Sequence, residues 1–272
     1  MLDYHVHTRL CNHADGTIAD YVRQAVSMGL KEICFLDHLT LGDRGSNSSM
    51  AINEVGLYHQ AVQHIKQATV GQIRVKVGLE TDFDPQYVDL YREIVQTFSF
   101  DVIGSSIHAL DAIDVVSART DWADGRLDSQ TIYTRYFERL NDMLDQDYFD
   151  LICHFDLVKK FGHVPQTSFQ PEIEAIIEKI RRKKIVVEVN TSGFAHAPAE
   201  PYPGLPIIQM LADAGVGLTM GSDAHRPEEL GRYFDQAAES LKRMGVKHLV
   251  GFSNRDRHAV PLLERDLHRS ES

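Results

Sequence analysis

Fourteen histidines in 272 residues are the chemical outlier of this chain, and many stand two or three positions from another histidine or a carboxylate. In His5-Val6-His7 a strand would turn both imidazoles to one face, about 6.6 Å apart along the chain, where one cation can take both. Taken alone, such a pair equally describes two hydrogen-bonded, half-buried histidines. Its company changes the reading. Asp37-His38, Glu80 with Asp82, His108, His154 with Asp156, Glu188 with Asn190, and Ser222-Asp223-Ala224-His225 recur along the chain. Imidazole and carboxylate donors in this number suit zinc, manganese or iron, which only geometry and supply separate.

Such donors need a scaffold that gathers them. Short β-rich apolar runs alternate with segments of helical period, the pattern of a parallel sheet covered by helices. The predicted strands are 2–7, 32–36, 73–79, 101–107, 150–153, 185–189 and 216–220, with a weaker one at 248–252. Helices are predicted at 18–28, 53–68, 85–98, 129–145, 171–182, 206–214 and 227–244. Thr17 and Asp128 read as N-caps, and Pro85, Pro171, Pro206 and Pro227 as first-turn prolines. Every group singled out above falls at the end of one of the first seven strands. In an α/β barrel those ends converge on one face, where such folds place their active sites.

Composition narrows the classes. The length fits one α/β barrel of about 250 residues, and no linker-like shift or internal repeat divides residues 1–272, so a single domain is expected. With 43% hydrophobic and 25% charged residues the chain is neither fibrous nor disordered. The 28 basic and 39 acidic residues leave a formal charge of −11, which argues against a coat for nucleic acid or an anionic membrane. No apolar run approaches a membrane span, and the first residues lack the layout of a signal peptide. Cys11, Cys34 and Cys153 form no CxxC pair, so a disulfide framework is not expected and a cytoplasmic protein is.

Taken in order, several segments resemble the PHP (polymerase and histidinol phosphatase) superfamily over nearly the whole chain. They are His5-Val6-His7, Cys11-Asn12-His13, Asp37-His38, Gly78-Leu79-Glu80, Gly104-Ser105-Ser106-Ile107-His108, Cys153-His154-Phe155-Asp156-Leu157, Glu188-Val189-Asn190-Thr191-Ser192-Gly193 and Gly221-Ser222-Asp223-Ala224-His225. The resemblance implies a distorted (β/α)7 TIM-like barrel holding two to three divalent ions. By it, His5, His7, Glu80 and Asp223 would hold the first ion, and Glu80, His108 and His154 the second, with Glu80 as the bridge. His13, His38 and His225 would hold the third. Catalysis would then depend on Glu80, Asp223 and His225.

Three dications bring about +6 formal charge against two ligand carboxylates, which leaves a pocket fit for an anion such as a phosphate ester. A hydroxide held between the first two ions would attack phosphorus in line, while the third ion or a nearby acid assists the leaving alkoxide. The segments match histidinol-phosphatase-like members most closely, so the expected activity is that of a phosphomonoesterase on L-histidinol phosphate, in histidine biosynthesis. The expected partner is a small phosphorylated metabolite, without membrane and without nucleic acid; the oligomeric state is left open. Two alternatives are a phosphodiesterase or exonuclease acting on nucleotides or DNA, and a non-catalytic metal-binding module. A long basic groove would mark the first, loss of ligands the second; the composition lacks one and the ligand set is complete.

Family members commonly carry a basic residue after the Glu188–Gly193 segment to bind phosphate. Here Phe194-Ala195-His196 follow, so His196 or Arg226 would have to substitute. Lys159 and Lys160, just beyond His154, and Arg119, in a long connection, are the other candidates for substrate contact. Arg44 lies in the segment 42–49, rich in glycine and serine and read as a loop able to cover the mouth. Asp37, Asp156 and Asn190 are candidates either to orient imidazoles or to cap the next segment, and Asp15 and Asp82 are similar. Ser105, Ser106 and Ser222 are read as structural. The basic run Arg181-Arg182-Lys183-Lys184 reads as a solvated helix end, and Tyr133, Tyr136 and Phe137 as packing.

Overall fold

The computed structural model describes residues 1–42 and 48–262. Arg44 and most of the 42–49 loop lie outside the described residues. Eleven strands are present among those described: β1 (Leu2–Val6), β2 (Glu32–Leu39), β3 (Arg74–Asp82), β4 (Val102–Ser106), β5 (Ala109–Leu110), β6 (Ile113–Asp114), β7 (Leu151–Ile152), β8 (Val186–Asn190), β9 (Leu218–Gly221), β10 (His248–Ser253) and β11 (Asp256–Pro261). Seven helices accompany them: α1 (Ile18–Ser27), α2 (Val55–Ala68), α3 (Val88–Thr97), α4 (Ser129–Met143), α5 (Gln170–Lys183), α6 (Leu205–Asp213) and α7 (Phe234–Arg243).

One sheet runs β1-β2-β3-β4-β7-β8-β9, every neighbour parallel. Its two edges meet where His7 N–H donates to the Ala224 carbonyl at 3.0 Å and Ala224 N–H to the His5 carbonyl at 3.3 Å. The result is the expected seven-stranded TIM-like barrel, distorted because β7 holds only two residues. Register places His38 beside Glu80 and Glu80 beside Gly104, so neighbouring strands deliver the donors at one level.

Local signals explain the helices. Thr17 and Asp20 form a capping box at the start of α1, which buries Tyr21, Val22 and Ala25. Asp128 accepts from Thr131 N–H at 2.8 Å to start α4, whose Tyr133, Tyr136 and Phe137 are buried. Pro171 and Pro206 occupy the first turns of α5 and α6. Arg181, Arg182 and Lys183 close α5, where cations complement the helix dipole.

Two expectations change. The predicted helix 227–244 is broken into a 3-10 turn, Pro227–Glu229, and α7, because Gly231 (φ 65°) and Tyr233 (φ 58°) take left-handed conformations. The weak strand near 248 is not an eighth stave. Instead β10 pairs antiparallel with β11 through Asn254-Arg255, both at positive φ as a type I′ turn requires.

This hairpin docks at the end of the barrel where the strands begin. Phe252 N–H donates to the Tyr4 hydroxyl at 2.7 Å, which itself donates to Glu32 Oε2 at 2.5 Å. Arg255 donates through its guanidinium to Asp150 and through its backbone N–H to the Asp101 carbonyl. No helix among the described residues is long and apolar enough to cross a membrane.

Candidate metal centre

At the opposite end, where strands finish, all nine expected donors come together. Glu80, fully buried at the end of β3, organises them. Its Oε1 lies 2.8 Å from His154 Nε2 and 3.5 Å from His108 Nε2, while Oε2 lies 2.7 Å from His38 Nδ1 and 3.2 Å from His5 Nε2. One carboxylate thus turns its two oxygens to two separate groups of imidazoles. Asp223 Oδ1 lies 3.0 Å from His7 Nε2 and 3.7 Å from His225 Nδ1. The rings of His7 and His225 stack at 4.1 Å, and those of His13 and His225 lie 4.6 Å apart.

The donor atoms of His5, Glu80 and His154 fall within 4.8 Å of one another, as do those of His5, His7 and Asp223 and those of His7, His38 and His225. Cys11 joins His13 and His225 in the same way, and Cys153 joins His5 and Glu188. Sequence reasoning did not place either sulfur among the donors.

A second circle of side chains holds these rings. Glu188 Oε1 lies 2.8 Å from His5 Nδ1, and its Oε2 accepts from His154 N–H at 2.9 Å and from Asn190 Nδ2 at 3.1 Å. Asp37 faces His7 Nδ1 at 3.3 Å and accepts from Thr8 and His38 N–H. Asp82 accepts from His108 N–H at 3.0 Å. Asp37 therefore faces an imidazole, as the sequence allowed, whereas Asn190 caps the following turn by accepting from Ser192 N–H at 3.0 Å and donates to Glu188 and Asp223, and Asp156 accepts from Lys159 Nζ and Gly204 N–H. Ser222 donates to Asp3, and Ser106 to the Thr81 carbonyl, in structural roles.

Glu188 was legible only as a strand-end carboxylate. Arg232 was missed: it donates to the carbonyls of Ser222 and Asp223 at 2.9 and 3.0 Å. There it steadies Asp223, whose φ of 54° is left-handed.

Burial alone would raise the carboxyls of Glu80 and Asp223, yet the surrounding imidazoles hold both well below the carboxylate range. Burial lowers His5 and His7, but the carboxylates outweigh it, leaving His5 well above its ordinary value and His7 at about 9. His108, His13 and His225 go the other way. Burial and neighbouring imidazoles push them down, His225 to about 2.

His225 Nε2 and His154 Nδ1 are buried without a hydrogen-bond partner. His108 Nε2 and His154 Nε2 face each other at 3.3 Å. Buried imidazole nitrogens without a hydrogen-bond partner, beside two carboxylates held well below their ordinary range, fit divalent ions.

A cavity of about 430 Å³ opens beside the cluster, lined by His38, Asp82, His108, Ser192 and Asp223 together with Asp111, Asp114, Lys160 and His196. Of the candidate substrate contacts, Lys160 and His196 are on this wall. Lys160 Nζ donates to the Val116 carbonyl at 2.9 Å, and burial lowers its pKa. Lys159 is spent elsewhere: Nζ lies 2.9 Å from Asp156 and 2.8 Å from Glu200. Arg226 is exposed, 3.8 Å from Asp15, and Arg119 is exposed; neither lines the cavity.

Comparison with known proteins agrees with this geometry. A sequence model of the PHP domain matches residues 3–192. A protein of Deinococcus radiodurans named "Probable histidinol-phosphatase" is 29% identical over 248 residues, which span 90% of this chain and 94% of that protein. The histidinol-phosphatase of Lactococcus lactis is 23% identical, with 93% of this chain and 94% of its own length covered. The crystal structure of histidinol phosphate phosphatase from Lactococcus lactis, complexed with zinc, L-histidinol and phosphate, shares the fold. Its TM-score is 0.82 at 21% identity, covering 94% of this chain and 98% of that one.

Proposed function

The chain belongs to the PHP domain family, and from that premise we propose that it is a metal-dependent phosphomonoesterase whose substrate is L-histidinol phosphate. The observation that carries the reading is Glu80, with its two oxygens facing separate imidazole groups, of which His38 and His108 also line the 430 Å³ cavity. His5, His7, Glu80 and Asp223 would hold one ion, Glu80, His108 and His154 a second, and His13, His38 and His225 a third. Bound there, divalent ions supply charge neutralisation at phosphorus and activation of water.

The protein's own groups do the rest. Asp223 and Glu80 stay ionised because the imidazoles around them favour the charged form. Glu188 and Asp37 fix the rings of His5 and His7, so the donors are organised before substrate arrives. Lys160 offers an ammonium on the cavity wall to a phosphoryl oxygen. The size of the cavity suits a small metabolite, and the charge of −11 disfavours a nucleic-acid substrate. Three unpaired cysteines support a place in the cytoplasm, working in histidine biosynthesis.

The test is a panel of phosphorylated metabolites and diesters against protein loaded with manganese, zinc or iron. L-Histidinol phosphate should release phosphate fastest. A loaded sample that cleaves a diester faster than every monoester would sink the proposal.

A further inference from the structure

Tyr202 is fully buried, its backbone tied to Asn190 by a pair of hydrogen bonds at 2.7 and 3.0 Å. Its hydroxyl lies 3.0 Å from His196 Nδ1 and has no other hydrogen-bond partner among the described residues. A phenol has one proton to give. Sealed from water, this one has a single acceptor, the ring nitrogen, because the reverse arrangement would bury an unsatisfied O–H. A nitrogen that accepts carries no proton, so the neutral imidazole must keep its proton on Nε2. That atom has no protein partner among the described residues, and His196 lines the cavity beside Lys160, Ser192 and Asp223.

We propose that Tyr202 is a positioning residue that fixes His196 as a neutral Nε2–H donor to a phosphoryl oxygen in the cavity. The inference rests on the phosphomonoesterase reading for its ligand, but not for its proton. The charged groups facing His196 are Lys160 from the turn after β7, Asp223 from the end of β9 and Arg232 from the segment before α7. Burial, then Lys160, push His196 down to about 4, with Asp223 pulling up and Arg232 down. The donor therefore adds direction without charge, and it keeps its proton on one nitrogen across the range where a free imidazole titrates. Lys160 supplies the charge; His196 supplies the aim.

The experiment is nitrogen-15 imidazole spectroscopy on the full zinc-loaded chain, with His196 assigned by its loss in His196→Gln. The expected spectrum shows protonated Nε2 and bare Nδ1, unchanged from pH 5.5 to 8. Tyr202→Phe keeps the ring, and with it the Lys159 ammonium 5.4 Å from the ring centre, but removes the hydroxyl. It should mix the two tautomers and weaken binding of inorganic phosphate about fivefold, the scale of one hydrogen bond. His196→Ala should weaken it at least as much with metal content unchanged. A proton on Nδ1, a charged ring at pH 7, or phosphate binding unmoved by both variants would overturn the proposal. The expected tautomer and phosphate losses in a protein that hydrolyses no monoester would sink the functional reading and leave this one standing.

Discussion

His5 and Glu188 are joined inside the barrel by a 2.8 Å contact between Nδ1 and Oε1, with both side chains fully shielded from solvent. The contact leaves only Nε2 of His5 free to face Glu80, 3.2 Å away. The same carboxylate also accepts from the backbone of His154, whose ring faces the other oxygen of Glu80. One residue outside the donor set thus sets the orientation of two members within it. Gly221 makes room for it, since a Cβ there would stand 2.1 Å from Glu188 Oε1 and 2.5 Å from His5 Cβ.

Glu188→Gln should therefore act on metal, not on fold. The amide still accepts from His154 N–H but no longer compels a proton onto His5 Nδ1. Metal affinity is expected to fall about 10–100-fold, measured by competition with a chelator, while the denaturation midpoint of the metal-free protein changes little. Unaltered affinity would remove Glu188 from the account.

Glu80→Gln keeps nearly the same volume and removes the charge between two groups of imidazoles. Elemental analysis should show at least one ion fewer per chain, and turnover should drop roughly a hundredfold or more. His59→Gln is the control: its ring sits on the outer helix α2 near the Ser99 carbonyl, and the variant should match the parent. Full metal content and near-normal turnover in Glu80→Gln would require the ligand assignments to be redrawn.

Lys159 and Lys160 are adjacent in sequence and opposite in role. Lys159→Met strands Asp156 and should cost about 3 kcal/mol of stability, read in urea, because Asp156 is buried and its Oδ1 already lacks a partner. Lys160→Met should leave stability nearly unchanged and raise KM about tenfold. The reverse pattern would exchange their assignments.

The thiols give a pH prediction with a definite sign. Burial raises all three, Cys11 to about 12 from an ordinary 9.0. Between those values the unfolded chain has released a proton that the folded chain retains. The contribution to stability is thus complete below pH 9 and is lost as pH rises toward 12. At pH 8 the native protein should be inert to a thiol reagent and should yield three thiols on denaturation. Rapid native labelling would contradict the burial.

Much of this was legible in the residues. The donors could be read because each closes a predicted strand, and the strands could be read because buried parallel strands are short, continuous apolar runs. What escaped was conformation without a composition signal. Nothing in Arg226–Phe234 announces that Gly231 and Tyr233 would turn left-handed, freeing Arg232 to hold the Asp223 carbonyl. Nor did adjacency separate Lys159 from Lys160. That distinction depends on Glu200, which only the fold brings near. The segment at 248 had the right composition for a strand; Asn254-Arg255 folded it back on β11 instead of into the barrel.

The meeting of β1 with the segment after β9 has a consequence in time. His5 and His7 leave the ribosome before Ala224 and His225, which complete their surroundings and follow roughly 220 residues later. At about 5–20 residues per second that interval is roughly 10–45 s. Throughout it the nascent chain carries imidazoles and carboxylates with no closed cage to select among passing cations. Loading with the functional metals therefore follows the synthesis of Ala224 and His225, and a brief excess of a tightly held competitor such as copper before that point would do more harm than the same dose applied afterwards.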